Sequence, residues 1–577
     1  MKRFASIDFL RGLAIFMMLF LHNLSDDLNI NGLLANINNE PLINLVALVI
    51  FPFLGGLAGL FLLVSAVANM VSMNHHLQAG RSVGELVLRQ VFGGAVLLVF
   101  AVLTESTFGV YGAFGGMFRE LPGPGSSLTP HFGWVLFLSN GYTFETIHTI
   151  AWCIILNGIV QGILSLNGRF KNPRFMIKAY IVLGIAVVVA TQFVWDGVAK
   201  LVPGYPFAIV NYGNGIEIQI SKPLLGSSPI GFVFEDFFLI ALAAPVEPIF
   251  PYLAISFVGS IIGIVISMPK ESIPRHFTRN SLYIGMAMFI IGIIGVINAV
   301  IYVINTQGFD TAALMYSNIS NHRGWVPNDP QFSPPYLSWL FQFMAVNGIS
   351  IMMVILMIRI VEFRGMGKQF AKKSLPIRRF GFIAFMNYAM QFISSIPFYF
   401  LSILFTGVAY QRLGWGGVFV QIAAMYALYY GIMLLWERVS YTGTFEWCIG
   451  TISYNLIPGK KGTKYADRKW WQKGQLDVQG ALINAEWLNI VEEHDVDHEH
   501  LVDSKLAFKF AIIGLISVIF IPTVFVTLRI ALTAEKTEGK NKYNQCAKIV
   551  SIIGICLMLG VLITLFFITP AMIGISI

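Results

Sequence analysis

The sequence predicts an all-α fold: a polytopic transmembrane helical bundle of ten core helices plus a C-terminal hairpin. Three observations predict this class. Of the 577 residues, 56% are hydrophobic and 12% are charged, whereas soluble chains average roughly 25% charged residues. Apolar segments of about 20 residues, long enough to cross a bilayer, recur along the chain. Lysine and arginine gather in alternate connections between these segments, which is the charge pattern of multi-pass membrane proteins.

The ten core helices are predicted on apolar runs near 8–24, 43–73, 86–107, 145–166, 179–196, 236–268, 282–305, 336–361, 381–405 and 416–436. Two further runs, near 507–528 and 549–577, predict the hairpin. The first run follows the basic residues MKR, as in a signal peptide. Because Asp8 and Arg11 interrupt it and no small-residue cleavage site follows, we expect a retained first helix.

The polar stretch before the last two runs opens basic and ends acidic. Within it, four apolar residues recur at helical spacing: Leu482, Ala485, Leu488 and Val491. Three domains are therefore predicted: a transmembrane bundle (1–455), a cytoplasmic polar helical insert (456–506) and a C-terminal transmembrane hairpin (507–577).

The basic residues also predict the orientation. Connections and flanks on the side of the N-terminus hold most of them, including Arg3, Arg81, Arg169, Lys270, Arg364 and Lys372. The opposite connections of the first ten helices hold only Arg119, Lys200, Lys222, Arg323 and Arg412. We therefore expect a cell-membrane protein with a cytoplasmic N-terminus. The net charge of +8 reflects this topology, so the lipid bilayer is the expected partner and nucleic acid is not.

One connection breaks the charge pattern. The segment between the last two apolar runs would be external if both runs crossed, yet it carries Arg529, Lys536, Lys540, Lys542 and Lys548. Either these charges are tolerated outside, or one of the two runs does not cross. The sequence alone favours a hairpin of two spans.

No metal or disulfide site is expected. The four cysteines are scattered, and most lie in or beside apolar runs, which indicates neither a disulfide framework nor a zinc site. His494 and His498 have a metal-ligand spacing if they are helical. They lie in an acidic, polar stretch, so a solvated segment is the simpler interpretation.

Ionisable groups within the first helix are candidates for function, because charges inside a membrane need a partner or a purpose. Asp8 and Arg11 share a helical face and are expected to pair, either as a structural ion pair or as a polar inlet for an anionic group. His22 lies about 16 Å further along the axis. A neutral imidazole there is either an interfacial residue or a base that accepts the proton of a hydroxyl or amine.

Six segments resemble, in order, the motifs of one superfamily: SIDFLRGLAIFMMLFLHN (6–23), FPFLGGLAGLFLLVSA (51–66), ETIHTIAWCIILNGIV (145–160), PIFPYLAISFVGSIIG (248–263), FGFIAFMNYAMQFI (380–393) and WERVSYTGTFEWCIG (436–450). Residues 1 to about 455 resemble the membrane acyltransferases on these segments. The heparan-α-glucosaminide N-acetyltransferase type and a related bacterial family of poorly defined membrane proteins both fit. Thr444 replaces the proline of the closing motif.

The resemblance implies an enzyme that moves an acyl group, in the first instance acetyl, from cytoplasmic acetyl-CoA or another acyl-CoA to an extracytoplasmic glycan or small acceptor. His22 would be the base, by its position in the first helix. His148 is a second candidate, with Glu145 orienting its ring. The alternative for this pair is an acidic helix start beside an interfacial histidine.

Residues at the two ends of the bundle are candidates for binding. The phosphates of acyl-CoA would bind to basic side chains at the inner edge, although the membrane topology alone also explains most of these basic residues. The candidates at the inner edge are Arg11, Arg89, Arg378 and Arg379, together with Asp8, the expected partner of Arg11. Candidates for the substrate side, with an aromatic belt or hydrogen bonds between helices as the alternative roles, are Asn23, Trp134, Tyr142, Asn387 and Gln391.

Two other function classes stay open. A transporter or a lipid- or glycan-handling protein would use the same helices without chemistry, although no inverted repeat is visible. A receptor or scaffold would act through the insert. A homodimer is compatible with all three function classes: the enzyme, the transporter and the scaffold.

Overall fold

A computed structural model describes residues 3–29, 32–33, 57–104, 107, 146–201, 209–212, 215–218, 238–239, 241–243, 247–308, 338–456, 469–491, 501–516 and 521–563. Three predicted site residues, Trp134, Tyr142 and Glu145, lie outside these ranges, as do His494 and His498. Predictions about them stay predictions.

Helices dominate the described chain. The first eight are α1 (Ala5–Asp27), α2 (Leu57–Gln78), α3 (Val83–Leu103), α4 (Thr146–Ser165), α5 (Pro173–Leu201), α6 (Ile249–Ile266), α7 (Phe277–Gln307) and α8 (Ser338–Val361). There follow α9 (Gly367–Lys373), α10 (Leu375–Phe382), α11 (Ala384–Ala389), α12 (Ser395–Thr406), α13 (Trp415–Glu437) and α14 (Phe445–Leu456). The last three are α15 (Val502–Ile516), α16 (Ile521–Glu538) and α17 (Lys542–Ile563).

Short elements complete the chain. One-turn and 3₁₀ or π segments lie at Leu166–Lys171, Ala241–Ala243, Lys270–Ser272, Glu362–Arg364, Met390–Ser394, Trp470–Gln472 and Val478–Ile483. Two four-residue strands, β1 (Ile209–Tyr212) and β2 (Gly215–Ile218), pair antiparallel with Ile209 opposite Ile218. This hairpin between α5 and α6 was not predicted.

The predicted multi-pass architecture is confirmed. In the described part of the chain, eleven helical segments are long and apolar enough to cross a membrane, ten of them ending by Glu437 and the eleventh at 542–560. The ten correspond to the ten predicted core helices. Their surfaces are apolar where the bundle meets its surroundings, and examples of exposed residues there are Val182, Val189, Phe193, Ile294 and Leu404. Such surfaces belong in a lipid bilayer.

Glycines occupy helix crossings at which the backbones of two helices are in direct contact. A Cβ on Gly292 of α7 would lie 2.3 Å from the backbone nitrogen of Ala345 on α8. A Cβ on Gly381 of α10 would lie 2.5 Å from the nitrogen of Gly12 on α1. Because no larger residue fits at these crossings, the backbones touch directly, as small residues allow between membrane helices.

The predicted basic connections lie together at one end of the bundle. The nitrogen of Ser6, in the first turn of α1, donates to Glu362 at the end of α8 (2.9 Å). Arg359 of α8 donates to Thr278 at the start of α7 (2.6 Å). We call this the basic end. At the opposite, distal end, the backbone of Leu413 bonds to Asp27 (2.7 Å), where α1 finishes.

Residues 482–490 of the insert cross the basic end, and we call this segment the strap. Arg3 exchanges backbone hydrogen bonds with Glu486 (2.9 Å) and Leu488 (2.8 Å), and the nitrogen of Ile490 donates to the Glu362 carbonyl (3.0 Å). The predicted amphipathic helix through Leu482 to Val491 is therefore wrong beyond residue 483. The chain is extended there because its backbone groups pair with α1 and α8.

The C-terminal unit corrects the predicted hairpin bounds. Glu538, which ends α16, accepts hydrogen bonds from the backbone nitrogens of Asp503 (2.8 Å) and Ser504 (2.9 Å) at the start of α15. Only four residues separate these helices, so they run antiparallel. At 1.5 Å per residue, α15 extends about 22 Å, which is short of a hydrocarbon core of about 30 Å. The run 507–528 is thus not one span.

This arrangement removes the exception to the charge pattern. Arg364 of the basic end forms ion pairs with Asp503 and with Glu538 (3.2 Å), so the connection between α16 and α17 lies at the basic end. Lys540 and Lys542 then join the other basic residues. The structure therefore agrees with the alternative in which one of the last two apolar runs does not cross the membrane, and not with the one in which basic residues are tolerated outside.

We expect a cysteine at Lys540 to react from the same membrane side as one at Lys270, because both positions lie at the basic end. In a cysteine-free background, K540C and K270C should be labelled by an impermeant maleimide from one side of sealed vesicles. V408C, in the turn after α12, is the control for the distal end and should be labelled from the other side. Labelling of K540C together with V408C would contradict the antiparallel pair.

Candidate functional site

His22 and Gln391 meet at the distal end. The exposed His22 imidazole of α1 has its Nδ1 2.7 Å from Oε1 of the buried Gln391. The Gln391 amide nitrogen faces the sulphur of Met18 at 3.9 Å. Because an amide oxygen only accepts, Nδ1 carries the proton in the neutral ring and Nε2 keeps its lone pair. This is the tautomer that a general base at Nε2 requires.

Side chains of α13 hold the turn that carries Gln391. This residue lies on the 3₁₀ segment after α11. Gln421 donates to the Ser394 carbonyl (2.8 Å), and Tyr429 donates to the Met390 carbonyl (2.6 Å). Both side chains are buried. Sequence reasoning missed them, although an isolated glutamine in an apolar helix is a signal for a hydrogen bond between helices.

Asn23 and Asn387 have different surroundings. Asn23 is buried and donates to the Leu19 carbonyl (2.8 Å), while its Oδ1 has no hydrogen-bond partner among the described residues. The open group is thus an acceptor, which suits a substrate group that donates, such as a hydroxyl or an amine. Asn387 donates to the Phe380 carbonyl (3.0 Å) and faces the Met433 sulphur (3.5 Å). This favours the structural alternative for Asn387.

The predicted pairing of Asp8 with Arg11 is wrong. Both oxygens of Asp8 accept from Arg3 instead, at 2.8 and 2.7 Å. Arg3 lies before the start of the helix, so its guanidinium can donate to both carboxylate oxygens of Asp8. A bidentate pair of this kind is stronger than a single hydrogen bond. Nε of Arg11 is buried and has no hydrogen-bond partner among the described residues. Arg11 lies within electrostatic range of Glu446.

Glu446 is an enclosed carboxyl beside Arg11. It lies in the first turn of α14, outside the spans, and its Oε1 accepts from the nitrogen of Phe385 (2.7 Å). This contact caps the start of α11, where a negative charge is favoured by the helix dipole. Its Oε2 is buried without a partner among the described residues. Burial raises the pKa of the Glu446 carboxyl to about 7.

The other predicted cations are held by the protein. Arg378 donates to the carbonyls of Ala371 (2.7 Å) and Leu482, and it stacks on the Trp487 ring at 4.3 Å. Burial lowers the pKa of Arg378 to about 10. Arg378 therefore fastens the strap to α10.

Arg379 and Arg89 also have partners within the chain. Arg379 pairs with Glu437 (2.7 Å), and Arg89 pairs with Glu85 (3.2 Å). Among the four predicted cations, Arg11 is the one for which the described part of the chain supplies no hydrogen bond.

His148, the second candidate base, lies on α4 and is buried. The neighbouring Thr149 donates to the Glu247 carbonyl, which joins α4 to the segment before α6. Since Glu145 lies outside the described residues, the pairing of His148 with Glu145 stays a prediction.

A buried polar network joins three helices within the bundle. Asn157 of α4 donates to the hydroxyls of Ser256 (2.8 Å) and Ser260 (2.9 Å) on α6, and Tyr180 of α5 donates to the Asn157 oxygen (3.3 Å). Sequence reasoning did not single out Asn157. Its place in the apolar run CIILNGIV was the available signal.

The chain matches no protein-family model, no curated protein and no solved structure. No group of three or more His, Cys, Asp or Glu residues arranged to hold a metal occurs in the described ranges.

Replacing Glu446 by glutamine should change how stability depends on pH. The raised pKa means that the folded state holds a proton which the unfolded state releases above about 4.5, so stability falls as the pH rises from about 4.5 to 7. Glutamine keeps the acceptor for Phe385 and has no charge. We expect E446Q to unfold at about the wild-type temperature at pH 5, and about 2–4 °C higher at pH 8.

Thermal unfolding of the purified protein in detergent measures this difference. The exposed Glu271, also outside the spans, provides the control E271Q, which should show no such divergence. An offset for E446Q that is the same at both pH values would contradict an uncharged Glu446 at low pH.

Proposed function

We propose that the chain is a membrane-bound acyltransferase that moves an acyl group, in the first instance acetyl, from acyl-CoA to a hydroxyl or amine of a sugar or similar small acceptor. The hydrogen bond between His22 and Gln391 carries this proposal, because it leaves Nε2 of an exposed imidazole free to accept a proton. The two residues are 369 positions apart, and each lies in a segment that resembles the acyltransferases.

The geometry suits direct transfer. Nε2 of His22 takes the proton as the acceptor oxygen or nitrogen attacks the thioester carbonyl. The new bond to the acyl carbon forms, the carbon–sulphur bond breaks, and the CoA thiolate takes the proton from the imidazolium. Throughout, Gln391 accepts from Nδ1, and this bond strengthens while the ring is cationic. Gln391 is thus a positioning residue.

Arg11 is the candidate for the phosphate end of the donor. His22 is eleven residues further along α1, so at 3.6 residues per turn the two side chains share nearly the same face, about 16 Å apart along the axis. The extended pantetheine arm of CoA would link a phosphate at the basic end to a thioester at the distal end. Below pH 7 the neutral Glu446 leaves the Arg11 charge to such an anion.

The orientation belongs to the same proposal. With the basic end in the cytoplasm of the cell, the donor arrives from the side where acyl-CoA is made, and the acceptor meets His22 at the outer face. The buried, unpartnered Oδ1 of Asn23, next to His22 in the chain, is an acceptor for the incoming hydroxyl or amine.

Replacing His22 should abolish transfer without unfolding the protein. With purified protein, labelled acetyl-CoA and a mixture of glycan acceptors, we expect H22A to lose about 100- to 10,000-fold in rate, the usual contribution of a general base. The exposed His75 at the basic end gives the matched control H75A, which should keep its activity. Transfer that survives in H22A would remove the proposal.

Replacing Gln391 should impair the base through its orientation. Q391M keeps the length of the side chain and removes the acceptor for Nδ1, so we expect a fall in kcat of about 10- to 100-fold, as for other partners that orient a functional imidazole. Q391E keeps the acceptor and should retain more activity than Q391M. Gln161, a buried glutamine of α4, provides the control Q161M. Equal activity in Q391M and wild type would show that Gln391 does not position His22.

A further inference from the structure

Two neighbouring tryptophans of the insert are exposed. Trp470 and Trp471 lie on the short turn Trp470–Gln472, and their exposed fractions are 66% and 37%. A tryptophan ring is the largest apolar group that a side chain can bury. Two such rings side by side on a surface indicate a contact that the chain itself does not supply. Neither residue belongs to the proposed acyl-transfer site.

The backbone of this turn is fixed on α14. The carbonyl of Trp471 accepts from Nε1 of Trp447 (3.0 Å), and the carbonyl of Trp470 accepts from the Asn455 amide (3.1 Å). Both donors belong to α14. Because the turn is held by its carbonyls, its two rings are left outside without being needed for the contact with the helix.

The position of α14 places the turn at the membrane boundary of the basic end. The helix begins inside the bundle, where the Phe445 ring contacts that of Phe100 within the span of α3 (centroids 4.7 Å apart). It ends at Leu456, where the insert begins. Since the strap of the insert crosses the basic end, α14 leads from the level of the hydrocarbon to this boundary. Tryptophan is enriched at such boundaries.

Apolar residues of α14 continue the exposed surface. Ile452 and Leu456 are four positions apart, so they share a face of the helix, and their exposed fractions are 36% and 61%. The bond between Asn455 and the Trp470 carbonyl brings the turn to the same end of the helix. We call Ile452, Leu456, Trp470 and Trp471 the tryptophan surface.

Lysines flank the tryptophan surface. Lys469 precedes the two tryptophans and is exposed, and Lys473 follows them. Neither side chain forms an ion pair with a residue that the structure describes. In the sequence, residues 457–468 add four basic residues and one acidic residue to the same part of the chain. Positive charge beside exposed indole rings is complementary to a membrane surface of anionic lipids.

We propose that the tryptophan surface binds anionic phospholipids of the leaflet at the basic end. The rings of Trp470 and Trp471 lie among the head groups, and Leu456 contacts the acyl chains. Lys469 and Lys473 attract the phosphates of the anionic lipids. The insert is thereby attached to the bilayer as well as to the bundle. This attachment does not depend on the proposed catalysis.

Fluorescence quenching of the full chain in nanodiscs tests the depth of the turn. In a cysteine-free background, W470C carries a nitrobenzoxadiazole label, and the nanodiscs contain phosphatidylcholine and phosphatidylglycerol in equal amounts. Because the proposal places position 470 among the head groups, we expect aqueous iodide to quench this label about fivefold less than the same label on K270C. Lys270 is exposed in the turn between α6 and α7 at the same end, so K270C is the matched control.

Lipids with a nitroxide on the acyl chain test the selectivity. A small and equal fraction of either phosphatidylglycerol or phosphatidylcholine carries the nitroxide, and quenching of the W470C label reports which lipid is near. We expect labelled phosphatidylglycerol to quench about threefold more strongly than labelled phosphatidylcholine. K469Q/K473Q should abolish this preference and keep the shielding from iodide. K372Q/K373Q removes the same charge from exposed lysines of α9 and should keep the preference.

Three results would overturn the proposal. Iodide quenching of W470C equal to that of K270C would show the turn in water, with its rings left to a soluble protein partner. Equal quenching by the two nitroxide lipids would indicate annular lipid only. A preference that survives in K469Q/K473Q would show that the anionic lipid is held elsewhere. Thermal unfolding in detergent checks that each variant is intact.

Discussion

Polar contacts between helices decide how this chain assembles, because apolar helix surfaces gain little by leaving lipid for one another. At the basic end, Glu538 satisfies the free nitrogens that begin α15 and also pairs with Arg364. Nearer the middle, Asn157 joins α4 to α6. Each of these groups would be costly in hydrocarbon without its partner. The arrangement that satisfies all of them is therefore strongly selected over alternatives.

The fold could be predicted because it follows from two requirements that leave a direct trace in the sequence. A helix must have enough apolar residues to cross, and basic residues stay on one side. The C-terminal unit shows where this reasoning ends. The run 507–528 is apolar apart from Lys509 and a few small polar residues, so its length predicts a span, and its mean hydropathy does not mark the division between α15 and α16. The misplaced charges Lys536 and Lys540 were the evidence that one run does not cross.

The candidate site was predictable as a set of residues and only partly as an arrangement. His22 and Gln391 were both singled out, yet their contact depends on a 3₁₀ turn that Gln421 of another helix holds in place. Helical spacing paired Asp8 with Arg11. The structure pairs Asp8 with Arg3, because the residue before a helix is not bound by helical periodicity. A local sequence pattern cannot predict contacts between residues that are far apart in the sequence, or contacts made by residues beyond the end of a helix.

The strap has a consequence for how the protein is made. Arg3 forms its backbone bonds with Glu486 and Leu488, so the opening of α1 leaves the ribosome long before its partner has been translated. Until then the first helix enters the membrane with those groups bonded to water. The native packing of the earliest residues is thus completed among the last steps of biosynthesis, and a chain halted before the strap would carry an unfinished first helix.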